Sequence, residues 1–85
     1  MASPDDIEAA ILRAVAAAGA GKTVGPMDIA QTLHADEVWQ SMLPAVRRAA
    51  VTLARAGTIA IYRKGKPVDP NDFKGIYRLG LPPRD

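Results

Sequence analysis

Leu43-Pro44-Ala45-Val46-Arg47-Arg48-Ala49-Ala50-Val51-Thr52-Leu53-Ala54-Arg55-Ala56-Gly57 runs directly into Thr58-Ile59-Ala60-Ile61-Tyr62-Arg63. The hydrophobic period changes at Gly57. Before it, Leu43, Val46, Ala49, Ala50, Leu53 and Ala54 share one broad arc of a helical wheel. Arg47, Arg48, Val51, Thr52 and Arg55 share the opposite arc. After Gly57 the β-branched composition is that of a strand. Glycine tolerates the left-handed conformation that ends helices, so Gly57 is the boundary. A polar-faced helix handing over to a strand is what the third helix and first wing strand of a winged helix-turn-helix are expected to look like.

Toward the N-terminus, Pro44 divides the helical pattern over 38–56, because an interior proline removes a hydrogen bond and clashes one turn back. Either a short helical turn at 37–42 precedes a helix beginning near Leu43, which is the preferred reading, or one helix kinks there. Ala35-Asp36-Glu37 is the turn before it. Gly25-Pro26 opens a shorter helix that ends near His34, with Ile29, Ala30 and Leu33 facing inward. Ala20 to Val24 links it to a first helix over 4–18 and has room for a minimal strand at Thr23-Val24. In that first helix Ser3 is the cap, Pro4 takes the first helical position, and Asp5 and Asp6 suit the positive end of the dipole. Ile7, Ala10, Ile11, Ala14 and Ala18 recur on one face, with Leu12 and Val15 near its edge, and Gly19 is the stop.

Toward the C-terminus, Gly75-Ile76-Tyr77-Arg78-Leu79 reads as a second strand, Ile76 and Arg78 facing one way and Tyr77 and Leu79 the other. The stretch from Lys64 to Lys74 is full of turn formers, so the two strands are expected to make a hairpin with a long tip. The expected fold is α+β, mainly α: a winged helix-turn-helix of three helices and a C-terminal β-hairpin wing. It forms one domain over residues 1–80, with 81–85 as a flexible tail.

Eighty-five residues leave no room for a second domain, and 48% hydrophobic with 24% charged residues is a globular composition. There are no cysteines, which removes disulfides and thiolate metal sites and fits a reducing cytoplasm. The acidic start does not read as a signal peptide, and no apolar run approaches the ~20 residues that span a bilayer. The net charge of +2 hides an asymmetry. Residues 1–44 hold two basic and six acidic side chains, net −4; residues 45–85 hold nine basic and three acidic, net +6. That imbalance points to an anionic partner for the second half.

The candidate nucleic-acid-binding residues follow from the helix and the wing. An outward helix face of this kind enters the major groove, where arginine bonds guanine, a β-branched side chain meets a thymine methyl, and threonine does either. Arg47, Arg48, Val51, Thr52 and Arg55 supply these types. Arg63, Lys64 and Lys66 at the hairpin tip suit phosphate contacts, against which Asp69 and Asp72 weigh. The bland alternative is a solvated helix face and protective charge on an edge strand. Tyr62, Phe73 and Tyr77 are expected to pack the hairpin on the helices, and Trp39 to anchor the core at the helix junction.

Other chemistry finds little footing. Gly21-Lys22-Thr23 suggests a phosphate-binding loop, but the glycine that motif needs five residues earlier is Ala16, and a helix precedes where a strand should. His34 is the sole histidine and has no cysteine near it. Asp5, Asp6 and Glu8 serve a helix start. No catalytic, cofactor or metal site is expected, and no enzyme.

Several stretches carry a family resemblance: Ile7 to Leu12, Trp39, Met42-Leu43-Pro44-Ala45-Val46-Arg47, Gly57-Thr58-Ile59, Lys64-Gly65-Lys66-Pro67-Val68-Asp69-Pro70 and Ile76-Tyr77-Arg78-Leu79. Over about residues 5–79 the chain resembles a small bacterial winged-helix family classed as a domain of unknown function. The resemblance implies the fold and a bacterial, cytoplasmic setting. It brings no activity and no functional residues. The expected partner is double-stranded DNA, with a protein partner on the same scaffold as the alternative and RNA as a third reading. No membrane partner is expected.

Overall fold

Proline at a first helical turn and glycine after a last one set the helix ends. The computed structural model describes residues 4–33 and 37–83. The Ser3 cap, His34 and most of the 35–37 turn lie outside those residues. Helix α1 spans Pro4–Ala18, strand β1 Thr23–Val24 and helix α2 Pro26–Leu33. A 3₁₀ turn over Glu37–Met42 then leads into helix α3, Leu43–Arg55. The break at Pro44 is therefore a change of helix, as its missing N–H requires. At the far end of α3, Thr58 N–H donates to Leu53 O and Gly57 N–H to Ala54 O, both at 3.0 Å. Gly57 has φ 82°, which completes the left-handed cap. At the start of α2 the Asp28 carboxylate accepts from Gly25 N–H at 3.3 Å, a reciprocal cap on the helix's first turn.

The core lies between the helices and one face of a four-stranded sheet. Ile7, Ile11 and Val15 enter it from α1, Ile29 and Ala30 from α2, and Val46, Ala49, Ala50 and Leu53 from α3. Val15 is a core residue, whereas its expected companion at the edge, Leu12, is exposed. Trp39 is half-buried and packs against this core, as does Leu33.

Strands β2 (Ala60–Arg63), β3 (Lys66–Pro67) and β4 (Arg78–Gly80) complete the sheet, whose order is β1-β4-β2-β3. All pairs are antiparallel. Three helices with this sheet form an α+β, winged-helix-like fold.

The wing differs from the expected long-tipped hairpin. β2 turns back on itself at once: Arg63 pairs with Lys66, and Lys64 and Gly65 have φ 53° and 80°. Two successive positive φ angles make a two-residue turn whose twist matches the strands. β3 is the short edge strand that results. The chain then loops over 68–77 and returns as β4 on the opposite side of β2. The expected strands at 58–63 and 75–79 accordingly shorten to Ala60–Arg63 and Arg78–Gly80. Beyond β4, Tyr62 donates its hydroxyl to Leu81 O at 2.6 Å and holds the chain there.

Candidate nucleic-acid interface

Helix α3 places its basic residues outward by its 3.6-residue period. Arg48 and Arg55 lie seven positions apart, close to two full turns, and both are exposed. Neither guanidinium has a partner among the described residues. Thr52 is also exposed, but its hydroxyl donates to Arg48 O at 3.1 Å and is turned toward its own helix. Val51 is half-buried on the core's edge.

Arg47 is engaged. Its guanidinium donates to Phe73 O at 3.0 Å and sits over the Phe73 ring, 4.1 Å from the centroid. Tyr77 is the second wall, 5.7 Å away, and the two rings meet edge to face at 5.2 Å. Phe73 and Tyr77 are buried, so they pack the wing on the helices as their apolar area demands. Burial pushes the Tyr77 phenol pKa above its ordinary value of 10.0, and Arg47 pulls against that shift. In this arrangement Arg47 fastens the wing to α3 and does not project freely into solvent.

Arg63 is likewise tied: it is half-buried and its Nε donates to Ile76 O at 3.0 Å. Lys64 and Lys66, on either side of the turn glycine, are exposed. Asp69 spends one carboxylate oxygen on Asn71 N–H at 2.9 Å, inside its own loop. The predicted residues thus fall on two surfaces. Arg48 and Thr52 border a shallow depression with Ile7 and Glu8 of α1. Arg63 and Lys64 border another on the sheet, together with Thr23, Tyr62 and Arg78.

Sequence reasoning missed Arg78 as part of the basic surface. Its Nε donates to Thr23 Oγ1 at 2.7 Å and its Nη2 to Thr23 O at 3.1 Å, which ties β4 to β1. The alternation of Ile76 and Arg78 was a signal that Arg78 faces away from the core. Its neighbours across the sheet were not signalled. Among the described residues no group of three or more His, Cys, Asp or Glu is placed to hold a metal ion. Nor is any helix there long and apolar enough to cross a membrane.

A family model described as "Protein of unknown function (DUF3253)" matches residues 4–82. The chain belongs to this family. A search of curated proteins finds no match to the chain. Membership of the family carries no activity, so the surfaces above must speak through their own chemistry.

Proposed function

We propose that this family member is a DNA-binding module in which α3 meets the major groove and the wing tip meets the backbone. The observation that supports the reading is the exposed pair Arg48 and Arg55, two turns apart on α3; the wing turn presents Lys64 and Lys66 on a second surface. Arg48 is the base-reading candidate, because its guanidinium has no partner among the described residues and bidentate geometry suits guanine. Arg55, Lys64 and Lys66 are phosphate contacts. Arg47 supports the wing in this reading and does not read bases.

Duplex titration followed by fluorescence anisotropy tests it. With about four phosphates neutralised, log affinity falls against log salt with a slope of about −3 to −4. Arg48→Ala with Arg55→Ala should weaken binding about tenfold or more while leaving stability within about 0.5 kcal/mol, since both are exposed. Unchanged affinity in that double variant defeats the proposal.

A protein partner is the second reading. It draws on Ile76, 87% exposed, and Met27, 51% exposed, which flank one groove at the start of α2. Stoichiometric capture of one protein, insensitive to nuclease, would favour it.

A further inference from the structure

Alternation along β2 and β4 gives the sheet two faces of different character. Ile61 and Leu79 are paired in register and buried against the helices. Their neighbours Tyr62 and Arg78, also paired, therefore point away from the core. On that outer side Tyr62, Arg63, Lys64, Ile76 and Arg78 line a depression of about 360 Å³ together with Thr23 and Gly65. A second, of about 280 Å³, adjoins it across Thr23, Tyr62 and Gly65 and brings in Lys22. Among the described residues no carboxylate lines either.

The two arginines are held from behind. Arg78 is fixed by Thr23 and Arg63 by Ile76 O, so each keeps unspent donors on a guanidinium that is already positioned. Such pre-organisation lowers the ordering cost of gripping a phosphate. The same depression is lined by a half-buried aromatic ring and an 87% exposed isoleucine, Tyr62 and Ile76. A duplex would satisfy the cations alone, because it turns phosphates outward and keeps its base faces stacked. A single strand offers both phosphates and free base faces.

We propose that the outer face of the sheet binds a single strand of nucleic acid, its phosphates on Arg63 and Arg78 with Lys22 and Lys64 to either side, and a base against Tyr62 and Ile76. The site overlaps the duplex reading at Lys64, and the wider candidate set at Arg63, but α3 contributes nothing to it.

The test is an amide-shift titration of the labelled full chain at low salt. A short oligothymidylate, a mixed-sequence duplex, thymidine monophosphate and an oligoglutamate peptide are compared in parallel. The oligothymidylate should shift residues 22–23, 62–65 and 76–79 and leave 44–55 still. Arg78→Gln should weaken it about tenfold. Because Arg78 also braces β1, Lys22→Gln is the companion variant, with a loss of about threefold and an unchanged melting temperature. Absence of shifts, or shifts confined to 44–55, overturns the proposal. So does equal affinity for the monophosphate or for the acidic peptide. If the duplex shifts 44–55 while the single strand shifts nothing, this proposal falls and the duplex reading stands; the reverse pattern does the opposite.

Discussion

Gly80 shows how much one missing side chain decides. It is buried in the middle of the sheet, paired with Thr23 on one side and Ala60 on the other. A Cβ there would lie 2.9 Å from Lys22 O, 3.1 Å from Tyr62 Cε2 and 3.3 Å from Thr23 Cγ2. The carbonyl belongs to the backbone and cannot swing aside. Gly80→Ala should therefore cost about 1–3 kcal/mol, read by urea denaturation. A loss below about 0.5 kcal/mol would mean that the strands part more easily than this spacing implies. Nothing in the sequence distinguished Gly80 from an ordinary strand end. Arg47 was half legible in the same way. The helical wheel put it on the outer arc, and it is exposed, but its guanidinium is engaged by Phe73, twenty-six residues away in sequence. Periodicity fixes which way a side chain leaves its helix. It cannot fix which loop comes to meet it.

At the scale of elements, the helices were readable because their punctuation is local. Gly19 and Gly57 stand one and two residues past α1 and α3, Pro26 opens α2, and Pro44 falls at the start of α3. The two-residue strand at Thr23–Val24 was readable as a minimal link, and it pairs with β4. The two wing strands were readable and pair as β2 and β4, but the tight turn and short strand between them were not, for a chemical reason. A tight hairpin with two positive φ angles is announced by Asn-Gly or Asp-Gly. This chain makes it with Lys64-Gly65, and a lysine at φ 53° sits where its Cβ is unwelcome. Pro67 in β3 further disguised the strand; it is tolerated because β3 is an edge. Lys64→Asn should accordingly stabilise the domain by a few tenths of a kcal/mol up to about 1, because asparagine takes this conformation more readily. The same change should weaken phosphate binding, since it removes a tip charge. A thermal melt and a duplex titration on the one variant check both. Lowered stability would show that Lys64 makes a contact worth more than its strain.

At the scale of the molecule, the wing and the helices share one core. Phe73 and Tyr77 are buried in continuity with Val46, Leu53 and Leu79, and Arg47 clasps both rings from α3. A domain this small has no second core to fall back on, so damage in the wing should unfold the helices as well. Tyr77 lets that be tested through its ionisation. Burial raises its folded-state pKa above 10.0, the value the phenol regains when the chain unfolds. Below about pH 10 both states hold the proton, and Tyr77 adds no pH dependence. Above it the unfolded chain gives up the proton first, so the unfolded state is favoured, and stability falls until the pH passes the folded-state value. The fall should appear equally in helical circular dichroism and in Trp39 fluorescence. Tyr77→Phe keeps the ring and removes the ionisation, so its stability should decline less steeply between about pH 9 and 11. Every other ionisable side chain is common to both proteins, so the difference between the two slopes isolates the phenol. Coincident slopes would mean that the ring leaves the core before it ionises. The wing would then be a separate, weaker unit, and Arg47 would be free to reach outward after all.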